Sequence, residues 1–268
     1  MIIGILGPEG SYSEKAARQW NKAGKLHYYD DIQDTVEALL NNEVDYSIVP
    51  VENSLEGSIT LTLDLLMEHQ LKIVGEVIVQ ISHCLLAAGR LSDIKVIMSH
   101  PQALSQCRKF IKNNFKNAQV RPVLSTSLAA KLASGSKEMA AIASEESAHR
   151  YGLEILEADI QDIKENYTRF IVIGKETPHA TGNDKTSIIL YLQKNRPGAL
   201  FEILEVFANK NIDLTKIESR PTKKLLGDYL FHIDLKGHIE DKIIIETLEN
   251  IKSKVGMLKI LGSYPAAR

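Results

Sequence analysis

Over its first 174 residues the chain alternates between short apolar strand text and short helix text, and this constrains the fold more than any other feature. Buried strands separated by helices bury both faces of a sheet, which is an α/β architecture with mainly parallel pairing. Strand runs fall at 2–6, 46–51, 94–98, 120–124, 140–143, 153–156 and 168–173, and 72–88 reads as two segments broken by Gly75. Helices are expected over 11–20, 61–69, 101–115, 127–134 and 145–151. Another is capped by Asp31 and carries Ile32, Val36, Leu39 and Leu40 at i, i+4, i+7 and i+8.

The stretch KETPHATGNDK (175–185) is polar, contains Pro178 and Gly182, and has no periodicity, so it reads as a linker. Beyond it the order is strand (186–192), helix, strand (212–217), strand (228–235), helix, strand (257–261). Pro197 suits the first helical position, followed by a stripe of Leu200, Ile203, Leu204, Phe207 and Ala208. Tyr229, Phe231, Ile233 and Leu235 alternate on one strand face. This is the βαββαβ, ferredoxin-like pattern.

Composition excludes several functions. The apolar share of 44% over 268 residues is that of a folded chain, and a net charge of −2 offers no global pull toward nucleic acid or anionic membrane. The first apolar run stops at Gly7 and follows no basic segment, and no run reaches ~18 apolar residues, so a cytoplasmic location is expected. The glycines at 4, 7 and 10 are spaced GxxGxxG and fail the dinucleotide fingerprint, and Walker A and GxSxG sequences are absent. His83, Cys84, His100 and Cys107 fit no common zinc spacing and read as buried structural residues.

Four strand-to-helix junctions are rich in small polar residues: GPEGSYS (7–13), ENSLEGS (52–58), SHPQ (99–102) and STS (125–127). Ordinary N-capping explains any one of them. Four at the carboxyl ends of strands favour a cleft for a small substrate with more than one carboxylate, held by helix N-termini. In NYTRF (166–170) a Thr-Arg pair opens an apolar strand. Arg169 can clamp a carboxylate and Thr168 can donate to a leaving oxygen, although from spacing alone a surface Arg beside a β-favouring Thr is the better-favoured reading.

These segments carry a resemblance. GPEGSYSEKAA, VPVENSLEGS, SHPQALSQC and NYTRF, in this order and spacing, resemble prephenate dehydratase, and RPGAL…ESRP (196–221) resembles the ACT module that follows it in that family. The likeness runs through the closing LGSYP (261–265) and starts at the first motif, without the helical chorismate mutase segment some members carry in front. Ser127 stands where the family has a small alanine.

The resemblance implies a catalytic domain over 1–178, two-lobed like a periplasmic binding protein, with lobes of about 1–77 plus 157–178 and 78–156, and an ACT domain over 186–268. It implies decarboxylating dehydration of prephenate to phenylpyruvate, with Thr168 as hydroxyl donor and Asn53, Ser99, Gln106 and Arg169 as further catalytic residues. Ser54, His100, Thr126 and Phe170 would contact substrate. L-Phenylalanine would bind the ACT module at Asn195, Gly198, Ala199, Leu200, Glu218, Ser219, Arg220 and Pro221, in a homodimer or homotetramer. No metal or organic cofactor, nucleic acid or membrane is implied. Arogenate dehydration and a non-enzymatic two-lobed metabolite sensor are the alternatives.

Overall fold

A computed structural model describes residues 1–192, 196–222 and 228–267. They form two compact units, residues 1–63 with 77–170 and residues 64–76 with 171–268. No helix among the described residues is long and apolar enough to cross a membrane.

The chain opens with β1 (Ile2–Leu6), α1 (Tyr12–Trp20), β2 (Lys25–Tyr29), α2 (Ile32–Leu40), β3 (Tyr46–Asn53), β4 (Gly57–Ser58), α3 (Thr60–Glu68) and β5 (Lys72–Gln80). Next come β6 (Cys84–Ala87), β7 (Val96–Ser99), α4 (Pro101–Gln106), α5 (Arg108–Asn114), β8 (Gln119–Pro122), α6 (Thr126–Ala133), β9 (Met139–Ala143), α7 (Glu145–Tyr151) and β10 (Glu154–Glu157). β11 (Tyr167–Gly174) then returns to the first sheet, whose order is β2-β1-β3-β11-β5 with β4 on β3, while the second runs β10-β6-β9-β7-β8. The chain thus passes between sheets after β5 and after β10, giving two lobes.

The expected parallel pairing holds only in part. β1 runs parallel to β2 and β3, and β7 to β8 and β9, but β6 is antiparallel to both β9 and β10. A strand buried on both faces reads as the same apolar run whichever way its neighbours point. β2 escaped the reading because KLHYY is a half-exposed edge strand without an apolar run.

The single helix expected over 101–115 breaks at Cys107 (φ −111°, ψ 19°). Asp162 N–H donates to the Gln106 carbonyl (2.7 Å), and the Asp162 carboxylate accepts from Lys109 N–H (3.3 Å), so α5 begins with a cap of its own. In the second lobe Cys84 and Leu86 pack with α6 on one sheet face, and Leu85 and Ala87 with Ala103, Cys107 and Ile111 on the other. The two thiols are free and buried in separate clusters.

The second unit completes with β12 (Asp184–Leu192), α8 (Ala199–Asn209), β13 (Leu214–Pro221), β14 (Tyr229–Lys236), α9 (Lys242–Lys254) and β15 (Val255–Pro265). The sheet order β13-β14-β12-β15, wholly antiparallel, is the ferredoxin-like arrangement. Ile188, Leu190, Ile233 and Leu235 pack against Ile203, Val206 and Phe207 of α8 and Ile244, Leu248 and Ile251 of α9.

Pro197 precedes the helix rather than starting it: Gly198 is the N-cap at φ 83°, a conformation glycine adopts without Cβ strain. β13 begins two residues later than expected, because Asn211 (φ 54°) and the Ile212 N–H to Phe207 carbonyl bond (3.0 Å) close the end of α8 first. The sheet's second face is covered too. There Lys259 Nζ donates to the carbonyls of Leu66, Met67 and His69, capping the end of α3, and His232 and Asp234 are buried.

Candidate active site

All four polar junctions reach one cleft of about 440 Å³ in the first unit. Gly7, Ser11 and Tyr12 come from the turn after β1, Asn53, Gly57 and Ser58 from the loop after β3, His100 and Gln102 from the start of α4, and Ser125 and Thr126 from the start of α6. Asn166, Thr168 and Phe170 line it from β11, and Gln106 and His83 from the second lobe. Its described lining contains no lysine or arginine. Glu56 is a carboxylate in that lining, and the groups there able to bind an anion are backbone N–H groups and helix N-termini, including that of α1, capped by Ser11, and of α6, capped by Ser125.

The turn after β1 is tied to the second lobe. Ser144 and Ser147 donate to the Gly10 carbonyl at 3.0 Å, and Ser127 donates to that of Glu9. Gly10 holds φ 80°, and a Cβ there would meet Ser147 Oγ at 3.1 Å. Ser127 is therefore a buried donor to this turn.

Donor and acceptor roles around Thr168 follow from the backbone. Asn53 Oδ1 accepts from the N–H groups of Leu55 (3.0 Å) and Glu56 (3.1 Å), which can only donate. Its Nδ2 therefore donates, to Asn166 Oδ1 (2.8 Å), Thr168 Oγ1 (2.9 Å) and the Tyr167 carbonyl (3.2 Å). With Oγ1 accepting from Asn53, the Thr168 O–H is left to donate elsewhere. Asn166 Oδ1 being an acceptor, its Nδ2 donates to Gln106 Oε1 (3.2 Å), where His83 Nε2 also arrives (2.9 Å). Burial lowers the His83 pKa, which favours the neutral ring, and the acceptor Gln106 Oε1 calls for Nε2–H as its donor. Tyr12 packs edge-on to His83 with ring centroids 6.2 Å apart and donates to the Ser82 carbonyl, and burial raises its pKa.

Of the residues expected at the catalytic site, Asn53, His100, Gln106, Thr126, Thr168 and Phe170 line the cleft, whereas Ser99, Ser54 and Arg169 do not. Ser99 is fully buried and donates to the Ile142 carbonyl (2.5 Å). Ser54 pins β11, donating to the Glu165 carbonyl and accepting from Tyr167 N–H (2.9 Å). Arg169 alternates with Thr168 and Phe170 on β11, and its Nη1 lies 3.8 Å from Glu52 Oε2. Tyr12, His83 and Asn166 were absent from the expected set. A histidine interrupting the apolar run 77–87, where the strand itself breaks, was the available signal for His83.

In the second unit Gly198 caps α8, Ala199 and Leu200 open it, and Glu218, Ser219, Arg220 and Pro221 close β13; Asn195 lies outside the described residues. A Cβ on Gly198 would meet nothing within 4 Å among the described residues. Arg220 and Pro221 line a cavity of about 540 Å³ with Tyr191, Leu230, His232 and Met257, and Arg220 Nη2 lies 3.4 Å from Asp64 Oδ1. Gly198, Ala199 and Leu200 do not line it. Burial lowers the His232 pKa to about 4. Among the described residues no cluster of three His, Cys, Asp or Glu side chains is placed to hold a metal ion.

Comparison with known proteins brings these observations together. The prephenate dehydratase family model matches residues 3–178, and the ACT domain model residues 186–253. The chain is 42% identical to a prephenate dehydratase of Methanocaldococcus jannaschii over 267 residues, covering 96% of each protein. It is 40% identical to arogenate dehydratase 2 of Petunia hybrida, covering 98% of this chain and 71% of that one. The crystal structure of a prephenate dehydratase from Arthrobacter aurescens in complex with L-Phe superposes with a TM-score of 0.89 at 35% identity, covering 99% of this chain and 90% of that one.

Proposed function

The chain belongs to the prephenate dehydratase family and converts prephenate to phenylpyruvate in phenylalanine biosynthesis, and from that premise we propose that Thr168 is the group acting on the departing hydroxyl. The observation that carries this is the bond from Asn53 Nδ2 to Thr168 Oγ1, which leaves the threonine hydrogen free at the cleft wall. Prephenate bears a ring carboxylate, a ring hydroxyl and a pyruvyl side chain. As CO2 departs, its electron pair completes the aromatic ring and the hydroxyl leaves; one proton makes it water. Charge develops on the leaving oxygen, so a fixed donor there acts mainly in the transition state. No strong base is needed, because aromatisation drives the bond breaking. Asn53 orients Thr168, Gln106 offers its amide N–H groups, and the N-terminal amides of α1 and α6 face the carboxylates. His100, Thr126 and Phe170 bound the substrate, while Ser54, Ser99 and Arg169 hold the walls.

Thr168→Ala tests the assignment. Loss of a positioned proton donor lowers kcat by ~10²–10⁴-fold, about 3–5 kcal/mol. KM changes little, and Thr168→Ser keeps more activity than the alanine variant. A Thr168→Ala enzyme within a few-fold of wild type refutes the role. The likeness to a plant arogenate dehydratase makes arogenate the second substrate to offer, side by side with prephenate.

The catalytic domain is assigned to 1–178 and the ACT domain to 186–268. L-Phenylalanine is the effector, with its carboxylate on the amides at Gly198–Leu200 and the 218–221 segment as the second wall. Likeness to a relative crystallised with L-Phe supports this. β13 and β15 end the sheet among the described residues, and sheet edges suit pairing of ACT modules in a homodimer or homotetramer.

A further inference from the structure

We propose that His83 is a positioning residue for the dehydratase reaction, locking the Gln106 amide so that its NH2 faces the substrate. The inference rests on the functional reading above. Gln106 Oε1 accepts two hydrogen bonds, from Asn166 Nδ2 (3.2 Å) and His83 Nε2 (2.9 Å), which occupy both of its lone pairs. The Gln106 amide nitrogen then stands in the cleft wall as a donor. A flipped amide would set its own N–H groups against two donors and turn a carbonyl toward a dianionic substrate.

The imidazole is held to do this. It is 3% exposed. Its backbone N–H donates to Gln161 Oε1 (2.9 Å), its carbonyl accepts from Ile160 N–H (2.9 Å), and the Tyr12 ring stands against it. Its Nδ1 is buried without a hydrogen-bond partner among the described residues. A residue kept only for packing would not leave a buried acceptor unpaired, since that is costly. Phenylalanine would fill the space without that cost. The Nε2–H bond to Gln106 is the interaction that requires histidine here.

A double-mutant cycle on the full-length protein tests this, with phenylpyruvate formation from prephenate as the readout. His83→Phe and His83→Asn, which lack a donor at the Nε2 position, lower kcat/KM by roughly 10–100-fold, the usual effect of misplacing a substrate-orienting group. His83→Gln, whose amide can donate from the same place, stays within about threefold of wild type. In a Gln106→Ala background His83→Phe costs less than about threefold more, because the two residues act as one unit. Nitrogen-15 NMR of the wild-type imidazole shows the Nε2–H tautomer alone from pH 6 to 8, at about the ordinary range of histidine titration. Independent losses in the cycle, failure of His83→Gln to retain activity, or an Nδ1–H tautomer would each overturn the proposal. The NMR measurement needs no His83 variant to fold. A wild-type protein inactive on prephenate would instead defeat the functional reading and leave the tautomer result standing.

Discussion

Asn53→Asp is nearly isosteric, yet it reverses the polarity on which the site depends. One carboxylate oxygen can still accept from Leu55 and Glu56 N–H. The other replaces an NH2 that lies 2.8 Å from Asn166 Oδ1, 2.9 Å from Thr168 Oγ1 and 3.2 Å from the Tyr167 carbonyl. Thr168 can respond only by donating to it, which turns its hydrogen away from the substrate. Asn166 can flip, but its carbonyl then meets Gln106 Oε1, and the conflict moves down the chain. Loss of the Thr168 donor predicts a kcat lower by ~10²–10⁴-fold, or about 3–5 kcal/mol. Global stability falls by only about 1–3 kcal/mol, the usual penalty for a mismatched buried polar group, measurable by urea unfolding. Facing three acceptors raises the new carboxyl's pKa, and once protonated it can donate to Thr168 again. Activity relative to wild type therefore rises as pH falls. The assay is initial-rate formation of phenylpyruvate across pH, with circular dichroism to confirm the fold. A folded Asn53→Asp enzyme at pH 8 with kcat within about threefold of wild type would refute the polarity argument.

Gly198→Val places a β-branched residue at φ 83°, where a Cβ meets nothing within 4 Å among the described residues, and should abolish phenylalanine control while basal turnover survives. Equal phenylalanine affinity by calorimetry in variant and wild type would remove Gly198 from the site. It is a cleaner test than truncation near residue 180, which removes Lys185, the ion-pair partner of buried Glu76 at 2.8 Å, and the Lys259 cap of α3. His232 titrates at about 4 in the fold, chiefly because of burial, against 6.5 as its ordinary value, with Glu218, Asp234, Lys216 and Arg220 around it. Between those values the unfolded chain binds the extra proton, so this contribution is whole above about pH 6.5 and is lost as pH falls toward about 4, roughly 3 kcal/mol in all. His232→Gln should flatten the pH dependence of urea midpoints in that window, and an unchanged slope would exclude the group. Gly262 sits at φ 153° beside a bulge in β15, where a Cβ would lie 2.1 Å from the Ile73 carbonyl oxygen. Gly262→Ala should cost more than ~3 kcal/mol, since backbone must move, and a change under ~1 kcal/mol would show the strand can shift.

Much of this was legible in the residues alone. Local chemistry sets the helix starts: Asp31 caps α2 as its side chain announces, and Ser11 and Ser125, from two of the polar junctions, cap α1 and α6. The ferredoxin-like order of the second unit followed from periodicity, since each strand and helix buries a face that its own residues spell out. The four polar junctions could be recognised one by one, because strand ends followed by capping residues are local features.

Other features came from contacts distant in sequence. The sheets are mixed because pairing direction is settled by which strands meet, and a buried run looks alike either way. The helix break at Cys107 depends on Asp162, and the burial of His232 on a covered sheet face. The motif order pointed to Asn53, Gln106 and Thr168, but only the fold shows that Asn53 and Thr168, 115 residues apart, share a hydrogen bond. His83 illustrates the limit. Between β5 and β6 it is one polar residue in the short break of a largely apolar stretch. Its meaning arises when the fold sets its Nε2 against Gln106, whose oxygen already takes a bond from Asn166, 60 residues further on. Sequence determined which groups could donate or accept. The direction of each bond was decided by the folded backbone, because the Leu55 and Glu56 N–H groups can only donate and so orient Asn53 and every side chain linked to it.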